Sequence, residues 1–335
     1  MPKEIIRIPK ARKTQKSLRG LGYDFNSSVA DIIDNSIAAD AKNIEIEFFR
    51  HAEEFKLIIK DDGNGMSKES LAEAITYGSE VDYDKNSLSK FGMGLKTASL
   101  SHCDKLLIIS REKTKTNFLG AAINTNDVDK SNKWITYDYN SKECLNILNK
   151  FQFNLKKMNT IVFWDDLNLI NEQYNAKTNE SHRHNYEFSL IQKLKHHLEL
   201  VFHRFISGEN KKKIKINIRI NGEFIDNYDP YFQLEDYQKE IDFKTNEMLY
   251  RPFESKDNKE AIFIKGFILP NKDQFSSAES WERAKGNQSW NDSQGFYIYR
   301  NDRLIRFGGW QKIIAKDEHI KYARVSIDIP DAYDD

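Results

Sequence analysis

The chain has 335 residues, with 51 Lys and Arg against 51 Asp and Glu, so its formal net charge is zero. Hydrophobic residues make up 39% and aromatic residues 12%, which is enough for a real core and excludes an intrinsically disordered chain. The charge balance excludes a global field that would attract nucleic acid or membrane, although it allows a local basic patch. Length alone allows two domains.

Targeting signals and cysteine motifs are absent from the sequence. The N-terminal segment has no apolar run long enough for a signal peptide, and no stretch of about 18 apolar residues occurs anywhere. Cys103 and Cys144 are far apart and form no metal or redox motif. We therefore expect a protein without a membrane span, located in a reducing cytoplasm.

The first predicted element is a helix within residues 17–41, where Val29, Ile32, Ile33 and Ile37 recur at helical spacing after the candidate caps Asn26, Ser27 and Ser28. Asp31 and Asn35 are four residues apart and therefore project from one face of this helix. A carboxylate and an amide oxygen there could hold a hard cation such as Mg²⁺, and the carboxylate could polarise an attacking water. The alternative is that both side chains face solvent.

Two segments, 43–49 and 55–66, then alternate like paired strands, and the second runs into a turn. Gly63 and Gly65 in this turn would let the backbone approach a ligand closely. Asp61, at the end of the strand, could accept a hydrogen bond from an exocyclic amine. A plain turn is the alternative, because Asp-Gly and Asn-Gly are common turn pairs.

The next segment, residues 67–103, combines two predicted helices with a polar, glycine-bearing stretch at 79–96. The first helix, at 67–78, has Ser67 as its cap. Gly92 and Gly94 lead into the second, at 95–103, whose free N–H groups could cradle a phosphate while Lys96 adds a point charge. The spacing fits neither a P-loop nor a dinucleotide-binding fingerprint.

Strands are predicted at 105–112 and 159–167, and the chain changes character after about residue 170. Further on we expect a polar linker at 168–185, a long helix at 186–206 and a hairpin at 211–232 that turns at Asn221-Gly222. Two strand segments follow at 260–269 and 295–307, with a polar loop at 271–294 between them. Lys and Arg on one face of the strand at 211–219 could touch a phosphate backbone; the alternative is a solvated edge strand. Residues His182 to His184 could bind a metal or be solvated. The chain stops after an acidic segment, and we expect it to be a fragment of something longer.

Three of these motifs occur in a recognisable order: D-x-x-x-N on a helix, D-x-G-x-G after a strand, and a glycine-rich segment before a helix. Together with the strand that carries Thr160, the set resembles the GHKL ATPases, which include DNA gyrase B, a heat-shock chaperone, histidine kinases and MutL. The resemblance implies an α+β fold, the GHKL (Bergerat) ATP-binding sandwich of helices on a mixed sheet.

By position, the resemblance implies that the chain binds ATP and Mg²⁺. Asn35 would chelate Mg²⁺, Asp61 would bind the adenine amino group, and Thr160 would support adenine recognition. The remaining contacts would come from the base pocket, Gly63, Gly65 and Met66, and from the phosphate lid, Gly92, Gly94, Leu95 and Lys96. Asp31, rather than Asp34, would be the base for the attacking water, with Lys96 as a second catalytic group. Two departures from the family pattern are Asp31, where hydrolysing members usually have Glu, and Asn159, where Gly is usual.

Later residues look like the MORC and MutL branch, in which a transducer domain of ribosomal S5-like fold follows the ATPase domain. The resemblance places the ATP-binding domain at 1–172 and the transducer at 173–335, and assigns the 214–225 hairpin to the transducer. In that branch a transducer lysine reaches the γ-phosphate, and Lys265 and Lys312 are the candidates.

The function implied is Mg²⁺-dependent ATP binding and hydrolysis with homodimerisation on ATP binding. By analogy it would serve DNA repair, restriction or phage defence, with DNA or DNA-processing proteins as partners and no membrane. One alternative is an ATP sensor or scaffold without turnover, suggested by Asp31. The other is a protein histidine kinase, which is disfavoured because no phosphoacceptor hairpin precedes the motifs that begin near residue 17.

Overall fold

The computed structural model describes residues 10–20, 24–51, 54–76, 94–151, 153–241, 262–286 and 289–330. The chain divides into two compact units. Unit 1 comprises Met1–Leu194 and Ile216–Ile225, and unit 2 comprises Lys195–Lys215 and Asp226–Asp335. This division differs from the proposed boundary between residues 172 and 173. Unit 1 continues to Leu194, and after a first segment of unit 2 the residues Ile216–Ile225 again belong to unit 1.

Unit 1 contains a mixed sheet of eight strands in the order β5-β4-β3-β6-β2-β1-β7-β8. The strands are β1 (Asn43–His51), β2 (Glu54–Asp61), β3 (Lys105–Ser110), β4 (Leu119–Asn124), β5 (Thr136–Tyr139), β6 (Thr160–Asp165), β7 (Asn217–Ile220) and β8 (Glu223–Phe224). Neighbouring strands are antiparallel except β1 and β7, which are parallel. Helices on a mixed sheet confirm the predicted α+β class.

Eight helices of the described part of the chain begin in unit 1. They are α1 (Ala11–Arg19), α2 (Phe25–Ala38), α3 (Lys68–Ile75), α4 (Gly94–His102), α5 (Thr125–Ser131), α6 (Ser141–Leu148), α7 (Asn168–Asn175) and α8 (Glu180–Val201), with 3₁₀ turns at Asn149–Phe151 and Leu155–Lys157. The helix predicted within residues 17–41 is confirmed by α2, which is shorter than that range. The Asp24 side chain accepts a hydrogen bond from the N–H of Ser27 and caps a separate α2, so the cap is not Asn26, Ser27 or Ser28. The predicted linker at 168–185 is also corrected, since α7 and the start of α8 occupy it.

Helices cover both faces of this sheet. On one face, Phe25 of α2 and His102 of α4 pack against Trp164 of β6, and Ser99 Oγ accepts a 2.8 Å hydrogen bond from the Trp164 indole. On the other face, Cys144 and Leu148 of α6 join a buried cluster with strand residues, among them Ile58, Ile109 and Ile161. The polar residues of α2 therefore belong to a helix that packs on the sheet core.

Unit 2 contains a five-stranded sheet in the order β12-β11-β13-β10-β9. Its elements are α9 (His203–Ser207), β9 (Lys239–Ile241), β10 (Phe263–Ile268), α10 (Ala278–Lys285), α11 (Trp290–Ser293), β11 (Gly295–Arg300), β12 (Arg303–Phe307) and β13 (Ala323–Ile329), with 3₁₀ turns at Lys272–Gln274 and Glu318–Ile320. Among these described strands, only β11 and β13 pair in parallel. The predicted loop at 271–294 is corrected, because α10 begins there with Ser277 as its cap.

The hairpin turning at Asn221-Gly222 has the predicted form, since β7 and β8 are antiparallel neighbours. Its assignment to the second domain was wrong. Asn43 pairs with Asn217 and Ile46 with Ile220, so β7 extends the sheet of unit 1 along the free edge of β1. In the part of the chain that the structure describes, no helix is both long and apolar enough to cross a bilayer.

Candidate functional site

Three polar side chains meet at one end of the unit 1 sheet. Asp61 lies opposite Thr160 in the pairing of β2 with β6, and Ser110 lies opposite Thr160 in the pairing of β3 with β6. Residues that pair across neighbouring strands share a face of the sheet. The hydroxyl oxygens of Ser110 and Thr160 are 3.1 Å apart. The structure thus brings together the predicted residues Asp61 and Thr160, and it adds Ser110, a polar residue at the end of an apolar strand.

The Asp61 carboxyl group is buried and held by two donors. Oδ2 accepts a hydrogen bond of 2.9 Å from the hydroxyl of Ser36, and Oδ1 accepts one of 2.9 Å from the N–H of Gly63. Burial raises the pKa of Asp61 to about 6, the two hydrogen bonds act against that rise, and the charge of Asp62 adds to it. A carboxylate offers about four lone-pair sites, so these two bonds fix the group and leave it able to accept another.

The turn after β2 depends on its glycines. A Cβ on Gly63 would lie 2.7 Å from the carbonyl oxygen of Ala39, and a Cβ on Gly65 would lie 1.8 Å from that of Arg111. Gly65 also has a φ of +70°, which favours glycine. The next residue, Met66, donates its N–H to Ser110 Oγ at 3.0 Å. The turn is thereby fixed against the end of β3.

Asn159, the residue before β6, ties the same turn together. Its Nδ2 donates a hydrogen bond of 2.7 Å to the carbonyl oxygen of Gly63, and its backbone N–H donates one of 2.8 Å to that of Asp61. Its Oδ1 accepts a bond of 3.2 Å from Nε of Arg111. The residue that departs from the family pattern therefore has a defined structural role.

A cavity of about 270 Å³ opens beside this end of the sheet. Six of the predicted site residues line it: Asn35, Asp61, Gly65, Met66, Leu95 and Thr160. Ser36, Ser70 and Glu73 add polar groups, and Ile32 and Val162 supply apolar walls. Such a mixture, a mostly apolar wall with a few placed polar groups, is typical of small-molecule sites. A larger cavity of about 380 Å³ on the α6 face has none of the predicted residues in its lining.

Asn35 is oriented by its own helix. Its Nδ2 donates to the backbone oxygen of Asp31 at 2.9 Å, which leaves Oδ1 as the atom that could coordinate a cation. Among the described residues, no group of three or more His, Cys, Asp or Glu could hold a metal ion. Mg²⁺ commonly takes one or two protein oxygens and completes its shell with water and phosphate oxygens, so one amide oxygen beside the cavity fits it.

Other predicted residues stand apart from this cavity. Asp31 is half-buried one turn before Asn35 and is not among the residues that line the cavity; Asp34 is buried. Gly94 begins α4, whereas Gly92 lies outside the described residues. The buried Lys96 donates its ammonium protons to the carbonyl oxygens of Glu73 and Thr76, at 3.2 and 2.7 Å. Burial lowers the pKa of Lys96.

A family model described as "Histidine kinase-, DNA gyrase B-, and HSP90-like ATPase" matches residues 23–154, which contain all the predicted site residues except Thr160. This part of the chain is therefore similar to the ATPases that the model describes. "ATPase morc-1" of Caenorhabditis elegans is 31% identical over 86 residues, which are 26% of this chain and 10% of that protein. Among solved structures, "Aquifex aeolicus MutL ATPase domain complexed with ADP" aligns over 91% of each chain with 12% identity and a TM-score of 0.41.

Proposed function

We propose that this chain is a GHKL ATPase, which binds ATP in the cavity beside Asp61 and hydrolyses it with Mg²⁺; the match of residues 23–154 to the family model supports this. The observation that carries the proposal is the anchored carboxyl group of Asp61, which lines the cavity opposite Thr160. Both oxygens keep further lone pairs after binding Ser36 and Gly63, and the exocyclic amine of adenine is a donor that could bind one of them.

The residues around Asp61 support adenine recognition in two ways. Ser36 and Gly63 hold the carboxyl group in one orientation, so little freedom remains to be lost when a base binds. Ile32 and Val162 offer apolar surface for the faces of the ring. Gly65 and Met66 line the same cavity and let the backbone approach the base.

The phosphates would lie toward α2 and the start of α4. Asn35 would offer its Oδ1 to Mg²⁺, which when bound supplies positive charge against the phosphate oxygens. Gly94 and Leu95 would provide N–H groups at the start of α4, and Gly92 is proposed as part of the same lid. Lys96 would reach a phosphate only after leaving the carbonyl oxygens of Glu73 and Thr76.

Hydrolysis requires a base, and Asp31 is the proposed one. Its position one turn from Asn35 suits a carboxylate that orders a water near the terminal phosphate. A second candidate function is an ATP sensor that binds without turnover. The observation favouring it is that Asp31, which is shorter than the usual Glu, does not line the cavity.

We extend the proposal to nucleotide-controlled homodimerisation, with unit 2 as the S5-like transducer and DNA repair, restriction or phage defence as the output. The similarity to the MORC relative supports this extension, but it spans only a tenth of that protein. Such a dimer would use a general kind of switch, in which a lid segment becomes ordered when the γ-phosphate is bound and is released after hydrolysis. Light scattering with and without a non-hydrolysable ATP analogue tests the dimer directly.

The ATPase proposal is tested by measuring equilibrium binding of ATP and release of inorganic phosphate on one preparation. Asp61→Asn and a sample with chelated Mg²⁺ serve as controls. We expect wild type to bind and release phosphate, and both controls to lose release. Tight binding of ATP without release of phosphate would favour the ATP sensor over the ATPase. A stable phosphoprotein formed from γ-labelled ATP would instead revive the histidine kinase, and no binding would overturn the proposal.

A further inference from the structure

A second cleft, of about 570 Å³, lies at the same end of the unit 1 sheet. The start of β1 pairs with the end of β2 and with the start of β7, so these strand ends converge there with those of β3 and β6. Its lining shares no residue with the nucleotide cavity. All lining residues are polar or charged except Ile44 and Met158, which are both buried.

The lining is strongly basic although the whole chain has zero net charge. Six cationic side chains face two carboxylates, Glu45 and Asp62. The cationic residues are Arg111, Lys113, Lys115, Lys156, Lys157 and Arg219. A concave surface lined by one sign of charge concentrates ions of the other sign.

Both carboxylates of the cleft already have partners. Glu45 lies 3.0 Å from the ammonium group of Lys60 and 3.6 Å from the guanidinium group of Arg219. Asp62 accepts hydrogen bonds of 2.7 and 2.9 Å from the backbone N–H groups of residues 42 and 43. Glu45 is thus paired with two cations, whereas the neutral N–H groups leave the charge of Asp62 in place, and the lining still has four more cationic than anionic side chains.

Three lysines supply the excess charge. Lys113, Lys156 and Lys157 are exposed, and in the described part of the chain no carboxylate lies within 4.0 Å of their ammonium groups. Arg111, by contrast, is fixed by hydrogen bonds to Asn159 Oδ1 and to the carbonyl oxygen of Leu155, at 3.2 and 2.5 Å. The cleft therefore combines three exposed ammonium groups with one guanidinium group that hydrogen bonds hold in place.

We propose that this cleft binds the phosphate backbone of a double-stranded nucleic acid. Lysine and arginine side chains are the usual partners of backbone phosphates. No aromatic side chain is among the lining residues of the described chain, so the stacking surface that single strands use is missing. An apolar surface that would insert into a lipid layer is missing there as well. The biological role of such binding depends on the proposed ATPase function, whereas the binding itself does not.

The test compares two triple variants in binding to a short fluorescent DNA duplex, followed by anisotropy over a range of salt concentrations and without nucleotide. The first variant is Lys113→Gln, Lys156→Gln and Lys157→Gln. The matched control changes three exposed lysines elsewhere on unit 1, Lys130→Gln, Lys133→Gln and Lys142→Gln. Thermal unfolding checks that both are folded, and Lys→Arg at the three cleft positions is the rescue.

We expect the cleft variant to weaken duplex binding by about 10²-fold or more at roughly 0.1 M salt and to lower the salt slope by about 2–3. The control and the Arg rescue should bind as wild type does. Equal weakening in the control would overturn the cleft, as would wild-type binding by the cleft variant. Tighter binding to a single strand of equal length, or to anionic vesicles, would overturn the duplex. Because no nucleotide is added, failure of the ATPase proposal leaves this result intact.

Discussion

The side-chain amide of Asn159 donates a 2.7 Å hydrogen bond to the carbonyl oxygen of Gly63, so the residue before β6 holds the turn that follows β2. The same turn supplies the N–H that anchors Asp61. We expect Asn159→Ala to lower the free energy of unfolding by about 1–3 kcal/mol, because a buried carbonyl loses its donor, and to weaken ATP binding several-fold. Thermal or denaturant unfolding and an ATP titration measure the two effects. Asn154→Ala is the control, since Asn154 is exposed and its side chain caps no N–H; equal effects of the two changes would show that Asn159 has no special role.

Asp61→Asn should abolish binding of adenine nucleotides. Asparagine has one side-chain acceptor oxygen where the carboxylate has two, so its NH₂ group would meet a donor, either the N–H of Gly63 or the adenine amine. Such a mismatch in a buried site costs about 1–3 kcal/mol or more. Isothermal titration with ATP measures the loss. Asp138→Asn, an exposed change on β5, should keep wild-type affinity; unchanged affinity in Asp61→Asn would remove the pocket assignment.

Affinity for the base should depend on the ionisation of Asp61, whose pKa burial raises to about 6. A donor amine prefers the carboxylate, so we expect adenosine affinity to be constant at neutral pH and to fall up to tenfold per pH unit below about 6. The stability of the protein without ligand should change with pH in the opposite direction to this affinity. The folded-state pKa exceeds the unfolded one, so this group costs stability above about pH 6, and the cost is removed as pH falls toward 4. Adenosine is the ligand to use, because phosphate groups titrate in the same range. A flat profile between about pH 5 and pH 8 would contradict the role of Asp61.

Asn35→Ala should remove the tightening of ATP binding by Mg²⁺ and change metal-free binding less. The reason is that Oδ1 of Asn35 is the oxygen left for a cation once Nδ2 is bonded to Asp31. ATP titrations with Mg²⁺ and with a chelator give the two affinities. Asn35→Asp keeps an oxygen at this position and should restore the Mg²⁺ effect. If Mg²⁺ still strengthens binding to Asn35→Ala as in wild type, Asn35 is not a ligand.

Asp31→Ala should bind ATP as well as wild type or better, because a negative charge near the phosphates is removed. Its rate of hydrolysis should fall by roughly 10²–10⁴, the range for losing a general base. Phosphate release under saturating ATP measures this rate. Asp31→Glu tests the geometry: a usual family arrangement predicts an equal or higher rate, and an arrangement adapted to Asp predicts a lower one. A wild-type rate in Asp31→Ala would move the search for the base to Asp34.

Asp61 was predicted from its place at the end of an apolar strand before a glycine turn, and Thr160 from the family resemblance; the structure places the two opposite each other. Their partners were missed for a physical reason. Ser36, Ser110 and Asn159 act through hydrogen bonds between elements that are far apart along the chain, and no local pattern reports those. Ser110 had a weak signal as the last residue of an apolar strand.

The predicted element boundaries were wrong in polar segments, where helices had been predicted as loops. The segment at 168–185 is polar enough to suggest a linker, yet α7 is helical and buries Ile170 and Tyr174. Residues 119–148 had no predicted element and contain β4, α5, β5 and α6. The hairpin at β7 and β8 was recognised from its turn, but pairing of β7 with β1 is non-local and could not be predicted from periodicity.

The return of the chain to β1 has a consequence for how unit 1 comes into being. Its sheet gains β7 only after residues 195–215 have been made, so synthesis of a complete first unit must wait for the hairpin that ends near residue 225. A fragment cut at residue 172 or 194 would leave one edge of β1 with unpaired backbone groups, and an edge of that kind recruits strands from other molecules. A fragment that keeps the eight-stranded sheet complete must therefore extend to about residue 225, and residues 195–215 come with it as an insertion.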